Sequence, residues 1–205
     1  MNMNEANPLV SELIYAFQDP RVVSLVKEIT GLQSLIPDEF LYAGGVSAME
    51  KGDYLNPHLD NSHGKEGQHY RVINLLYYVS PNWSSSNGGN LELWDHGLKQ
   101  PCRTIACQFN RLVIMATHQT SWHSVSPINQ ILTNSQRRCC VNNYYFSPDP
   151  IGSDNYRHVT SFRGRPEQPL QNAVLTVDSF IRNRIPRNLK NLIRKPQYYQ
   201  QKQER

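Results

Sequence analysis

No stretch of this chain approaches the roughly eighteen consecutive apolar residues that a membrane-crossing helix requires, so no membrane partner is expected. The opening MNMNEANPLVSEL has no basic segment followed by an apolar one, which argues against a secretory signal and makes the cytoplasm the expected compartment. Cysteine is scarce: Cys102, Cys107, Cys139 and Cys140 are the only four in 205 residues. Cys139 and Cys140 are adjacent and would point to opposite faces of a strand, and the short paired spacings of zinc sites are missing. Reduced thiols are expected rather than a disulfide framework. Acidic charge is scarce at one end only. Residues 153–205 carry eleven Lys and Arg against four Asp and Glu, a net of +7, whereas residues 1–152 carry ten against thirteen, a net of −3.

Apolar residues recur at helical spacing from Pro8 to about Leu32: Leu13, Ile14 and Phe17, then Val22, Val23, Leu25, Val26 and Ile29. Asp19-Pro20 interrupts them, predicting two short helices with Pro20 in the first turn of the second. The rhythm then changes. LYAGGVSAM (41–49), YRVINLLYYV (70–79), NLELW (90–94), CRTIACQF (102–109), RLVIMAT (111–117) and CCVNNYYF (139–146) are strand-length and rich in β-branched or aromatic residues, with turn-forming stretches between them. Such a series predicts an antiparallel sandwich or barrel, the jelly roll being one form. After a linker, SPDPIGSDN, helical spacing returns from about Leu170 to Lys195, split at Pro186. The expected organisation is a β domain with N-terminal helices over 1–152 and a basic helical extension over 153–205. Apolar periodicity in that extension favours a helical cover on the barrel over an acidic partner. It lacks the aromatic-basic interleaving that would make nucleic acid a partner.

The chemistry starts at YLNPHLDNSH (54–63). A His-x-Asp pair is weak by itself, since seven histidines and eight aspartates yield about 0.3 such pairs by chance. On an extended segment, however, residues i and i+2 share a face, so His58 and Asp60 could offer a nitrogen and a carboxylate to one metal. Of the other histidines, His123 has the best setting, just after the strongest apolar strand. Two histidines and one carboxylate on one face of an octahedron suit a non-haem Fe(II) oxygenase. Such a site commonly uses 2-oxoglutarate, whose far carboxylate needs a cation inside the barrel. Arg137 and Arg138 stand just before the last strand, and only one of them can point inward.

These pieces together resemble a known family. HLDN, INLLYYVSPNW, NGGNLELW, RLVIMATHQTSWHSVSP and RCCVNNYYF stand in the order and at the spacings of the Fe(II)/2-oxoglutarate dioxygenase superfamily. The stretch 41–146 looks in particular like its prolyl 4-hydroxylase branch, of the oxygen-sensing type. The resemblance implies a mainly β (α+β) fold, a double-stranded β-helix or jelly roll with N-terminal helices packed on it. It makes His58, Asp60 and His123 the iron ligands and Arg138, rather than Arg137, the partner of the 2-oxoglutarate 5-carboxylate. Tyr78 falls where the family bonds the same carboxylate, and Asn74 and Leu76 share its face. Arg71 falls where relatives have an arginine near the substrate entrance. Trp94 and Trp122, core or rim residues by bulk, would also shape a substrate pocket. The implied cofactors are Fe(II), 2-oxoglutarate and dioxygen, with ascorbate as reductant. The implied reaction is hydroxylation of an unactivated C–H, foremost on a prolyl residue of a peptide or protein. The alternatives are a free amino acid or small metabolite as substrate, or a non-catalytic jelly-roll metal-binding protein.

The sequence departs from the family in a few places. Ala48 and Met49 stand where a cosubstrate-contacting tyrosine is common, and Cys140 replaces a small hydroxyl residue. INQILTNSQ (128–136) is an insertion. An aspartate at position 60 is inconsistent with a halogenase, in which that ligand is missing.

Overall fold

The structure, a computed structural model, describes residues 7–131, 136–152 and 156–184. The chain begins with helices α1 (Pro8–Tyr15) and α2 (Pro20–Thr30). Asp19 ends the turn between them and caps α2, its carboxylate accepting from the Arg21 N–H at 2.8 Å, while Pro20 starts that helix. Gly31 closes it at φ +74, a conformation that costs a glycine little.

Ten strands follow: β1 (Ile36–Pro37), β2 (Gly45–Met49), β3 (Leu55–Leu59), β4 (Tyr70–Tyr78), β5 (Leu91–Leu93), β6 (Arg103–Ile105), β7 (Arg111–Ala116), β8 (His123–Val125), β9 (Arg138–Ser147) and β10 (Ser161–Phe162). Helix α3 (Pro169–Arg184) completes the described chain. One sheet runs β1-β9-β4-β7, with β2 also pairing β9, and the other runs β10-β3-β8-β5-β6. All the pairings are antiparallel, and the two facing sheets form a jelly roll. The six strands expected from composition are present, five of them trimmed and the last, β9, one residue longer at each end. Between the sheets lies an apolar core that includes Met49, Leu76, Tyr78, Leu91, Met115 and Cys140. On the outside of the larger sheet, Val23 and Val26 of α2 pack against Val72, Ile73, Leu75 and Tyr145. The N-terminal helices therefore act as a lid on one sheet, as their apolar spacing implied.

The C-terminal segment covers the edge of the other sheet. Strand β10 pairs with β3 on one side and leaves its other side to α3, whose polar side chains replace a neighbouring strand. Ser179 Oγ accepts from the Phe162 N–H and donates to the Phe162 carbonyl, both at 3.1 Å. Asn172 accepts from the Gly164 N–H and Asn183 from the Val159 N–H. An exposed sheet edge is an aggregation hazard, and this helix blunts it. The approach is close: a Cβ at Gly164 would lie 2.4 Å from the Asn172 backbone nitrogen. Because α3 docks through Asn172, Leu175, Ser179 and Asn183, its apolar residues Leu170, Val174, Val177 and Ile181 face outward, Leu170 at 84% exposure. The helical spacing expected at Leu189, Leu192 and Ile193 lies outside the described residues.

Candidate metal and cosubstrate site

His58 is the fourth residue of β3 and His123 the first of β8, and the two are direct partners across the antiparallel pair. That register brings the imidazole centroids to 4.1 Å. Asp60, one residue past β3, turns back so that its two oxygens each lie 3.8 Å from one histidine Nε2. One potential ligand atom from each of the three residues falls within 4.8 Å of the others. Sequence spacing alone suggested the His-x-Asp pair, and the sheet register brings in the third member.

The imidazoles are set in the tautomer that a metal needs. His58 Nδ1 lies 3.0 Å from the Asn56 carbonyl and His123 Nδ1 lies 3.0 Å from the Ser121 carbonyl. A carbonyl only accepts, so each Nδ1 carries the proton and each Nε2 presents a lone pair toward Asp60. Burial, with repulsion from His123, pushes the His58 pKa down to about 4. Burial would raise that of Asp60, but His123, Arg71, His58 and the Asn74 amide together hold it below the ordinary carboxylate range. Asn74 Nδ2 donates to Asp60 Oδ2 at 3.4 Å. The trio thus offers two imidazole nitrogens and one carboxylate, the donor set of a hard-to-borderline divalent cation.

These shifts set a pH dependence. The folded pKa of His58, about 4, lies below the ordinary histidine value of 6.5. Below that value the unfolded chain takes up a proton that the folded chain refuses. Stability of the metal-free protein should therefore be full above pH 6.5 and fall as the pH drops toward 4. His118 and His158, lowered by burial, add with the same sign. Asp60 adds a further loss only below the ordinary carboxylate range. Thermal melts of metal-free protein from pH 8 to 4 test this, and His58→Leu should flatten part of the profile. A wild-type melting temperature constant down to pH 4 would contradict a buried, neutral His58.

Deeper in the barrel, Arg138 opens β9 and is 3% exposed. Its Nε donates to the Gly89 carbonyl at 3.1 Å and its guanidinium lies 5.0 Å from the Tyr78 ring centroid. Nη1 lies 3.7 Å from the Met49 sulfur, and neither Nη2 nor the Tyr78 hydroxyl has a partner at hydrogen-bond geometry, although the Arg138 charge stands near both that hydroxyl and the Cys107 thiol. No acidic side chain forms an ion pair with Arg138 among the described residues. Arg137 points the other way and pairs with Glu50 at 3.1 Å on the surface. Cys107 and Cys140 flank the pocket, their thiol pKa values pushed up by burial, Cys140 to about 12. Both thiols are therefore protonated lining groups. The Gly88-Gly89 turn supports the arginine: a Cβ on Gly88 would stand 1.9 Å from the Pro127 carbonyl oxygen, and one on Gly89 would stand 3.1 Å from Arg138 Cγ.

Asn74 and Leu76 share the inner face of β4 with Tyr78, but the amide of Asn74 is directed at Asp60. Arg71 is 1% exposed, donates to the Tyr42 carbonyl at 3.1 Å and lies 3.9 Å from the Tyr144 ring centroid. Its charge reaches both Asp60 and Asp38. A cavity of about 400 Å³ has walls that include Leu93, Trp94, Met115 and Trp122 together with the polar Asp95 and Thr120, and none of the three candidate ligands lines it. Leu93 is the cross-strand neighbour of His123, and Met115 that of Asn74. The indole N–H of Trp94 is already committed to Ser124 Oγ, at 2.9 Å. Trp122 carries the Arg163 guanidinium 5.1 Å from its ring centroid. Sequence reading did not single out Phe162, Ser124, Glu92 or Arg165, all of which pack around the histidine strands. Glu92 and Ser124 lie inside the blocks NGGNLELW and RLVIMATHQTSWHSVSP, and Phe162 and Arg165 lie beyond the last block.

A family model described as the 2OG-Fe(II) oxygenase superfamily matches residues 44–146. The chain belongs to that superfamily, and its implied cofactors are Fe(II) and 2-oxoglutarate. Solved structures that it resembles include a Pseudomonas putida prolyl-4-hydroxylase, 13% identical with a TM-score of 0.46, over 76% of this chain and 73% of that one. Another is a Phytophthora capsici prolyl 4-hydroxylase, 19% identical with a TM-score of 0.44, over 66% of this chain and 42% of that one. A third is a Trichoplax adhaerens prolyl hydroxylase in complex with a hypoxia inducible factor oxygen degradation domain peptide fragment. It is 20% identical with a TM-score of 0.41, over 63% of this chain and 59% of that one. No curated protein matches the sequence.

Proposed function

We propose that this dioxygenase hydroxylates an unactivated C–H of a prolyl residue in a peptide or protein. In this reading His58, Asp60 and His123 hold Fe(II), and Arg138 with Tyr78 holds the 5-carboxylate of 2-oxoglutarate. The observation that carries it is a pair of buried polar groups without a hydrogen-bond acceptor, Arg138 Nη2 and the Tyr78 hydroxyl, side by side in the barrel interior. A guanidinium buried without an anion is costly, and a carboxylate arriving there satisfies both groups. A protein that merely held a metal would have no use for that arrangement.

When bound, Fe(II) and 2-oxoglutarate supply the oxidising chemistry: dioxygen and 2-oxoglutarate are consumed, succinate and carbon dioxide are released, and the substrate gains a hydroxyl. The chain's own residues supply position. The Asn56 and Ser121 carbonyls fix the imidazole tautomers, Asn74 orients Asp60, and Leu76, Leu93 and Met115 keep the interior dry. Arg71, Trp94 and Trp122 are read as substrate-side residues, the last two through the cavity that they line. Support for a prolyl substrate comes from the resemblance of residues 41–146 to the prolyl 4-hydroxylase branch. The cavity, walled by apolar side chains such as Leu93 and Met115 and by the polar Asp95, Thr120 and Ser121, has room for a ring or aliphatic side chain.

Succinate formation from 2-oxoglutarate, in air with Fe(II) and ascorbate as reductant, tests the proposal. A proline-rich peptide should stimulate it, with hydroxyproline appearing in equal amount. Stimulation by free amino acids or small metabolites alone would move the substrate to that class. Absence of both turnover and metal binding would overturn the enzymatic reading.

A further inference from the structure

Four side chains form a straight row across the smaller sheet. Phe162 of β10 is the cross-strand partner of His58, His58 of His123, and His123 of Leu93. Directly paired residues in a sheet share a face, so the two imidazoles stand between an aromatic ring and an aliphatic side chain. The Phe162 and His58 rings are stacked, with centroids 5.1 Å apart and planes within 18°. The opposite side of His58 meets His123 at 4.1 Å. With Nδ1 bonded to the Asn56 carbonyl as well, His58 has little room to turn about either side-chain bond.

The backbone that carries the Phe162 ring is itself fixed from two directions. On one side, the Arg163 N–H donates to the Pro57 carbonyl at 2.8 Å, beside His58 on β3. On the other, Ser179 of α3 bonds both backbone groups of Phe162. Three residues past Phe162, Arg165 donates to the Val125 carbonyl of β8, the strand that carries His123. Residues 161–165 are thus stitched to both histidine-bearing strands, and the only side chain they set against an imidazole is Phe162.

We propose that Phe162 is a positioning residue for the metal site: it holds the His58 imidazole in the plane from which Nε2 meets a metal shared with Asp60 and His123. This rests on the metal reading given above. An outer partner of a ligating histidine ordinarily contributes about 10- to 100-fold in metal affinity. The stack on Phe162 supplies orientation without a hydrogen bond, so the lower end of that range is expected.

The test is a titration of metal-free full-length protein with Co(II), followed by its visible absorption, on wild type and Phe162→Ala, Phe162→Leu and Phe162→Tyr. Ala and Leu should weaken binding by about 10-fold and alter the cobalt bands, while Tyr, which restores the ring, should return both. Leu keeps apolar bulk, so it separates loss of the ring from loss of packing should Ala fail to fold. The His58 ring protons, read by NMR on metal-free protein, should lose their ring-current shift in Leu and keep it in Tyr. Unchanged Co(II) affinity and spectrum in Leu, or unmoved His58 ring protons, would overturn the proposal. A wild type that binds no Co(II) would instead sink the metal reading, and the His58 protons would still decide whether Phe162 orients that ring.

Discussion

Arg138→Ala should weaken 2-oxoglutarate binding by roughly 30- to 1000-fold, about 2–4 kcal/mol, the usual cost of removing one partner of a buried charge-assisted pair. The unspent Nη2 of Arg138 and the Tyr78 hydroxyl are the groups that a distal carboxylate would meet. Arg138→Lys should recover little. A lysine cannot bond the Gly89 carbonyl through Nε and present a planar fork to a carboxylate at the same time. Tyr78→Phe removes one hydrogen bond and should cost roughly 10-fold. Arg137→Ala is the control: its partner Glu50 is about half exposed, and surface pairs contribute about 0–1 kcal/mol. Calorimetric titration with 2-oxoglutarate, beside the KM from succinate release, measures each value. The loss should fall on 2-oxoglutarate affinity and leave Co(II) affinity intact, because Arg138 is remote from the trio along β9 and β4. Wild-type affinity in Arg138→Ala would place the cosubstrate carboxylate elsewhere.

Which arginine faces inward illustrates how far the sequence could be read. Alternation along a strand required that one of Arg137 and Arg138 point into the barrel, and the family resemblance selected Arg138. The structure supplies the physical reason: β2 pairs Met49 with Arg138, and β4 pairs Tyr78 with Cys140, so the register places Arg138 over the Tyr78 ring. The long strands β4, β7 and β9 were legible because six to ten residues of β-branched and aromatic character leave little room for another reading. Strand β8 has three residues, His-Ser-Val, and β10 has two, too few to carry a period. Their places are fixed by long-range pairing, such as His58 with His123 across sixty-five positions, which local spacing cannot encode. The same limit hid Phe162 from a reading that treated the chain after Phe146 as linker and basic helix. The apolar spacing there suggested a helical cover on the barrel over an acidic partner, and three of its arginines engage the barrel itself: Arg157 donates to the Gly67 carbonyl, Arg163 lies over Trp122, and Arg165 is buried.

Arg165→Ala should destabilise the fold by about 3–5 kcal/mol, since breaking a buried pair leaves an uncompensated charge behind. Arg165 Nη2 donates to Glu92 Oε2 at 2.7 Å, and both side chains are nearly excluded from solvent, at 7% and 11%. Glu92 also accepts from Ser124 Oγ, which in turn accepts from the Trp94 indole, so the carboxylate anchors β5 to β8. Against a total of about 5–15 kcal/mol for a domain, this loss is large enough to appear as a fall in melting temperature without any ligand. The direction changes if both partners go. Glu92→Leu with Arg165→Met removes the two desolvated charges together and should recover most of the loss, because a buried pair replaced by apolar groups of similar size is often neutral or better. Ser124 limits that recovery, since its hydroxyl loses an acceptor. Chemical denaturation of the two single variants and the double variant closes the cycle. A strong favourable coupling between the positions is expected, and strictly additive losses would mean that the pair is not the element joining the C-terminal segment to the strand of His123.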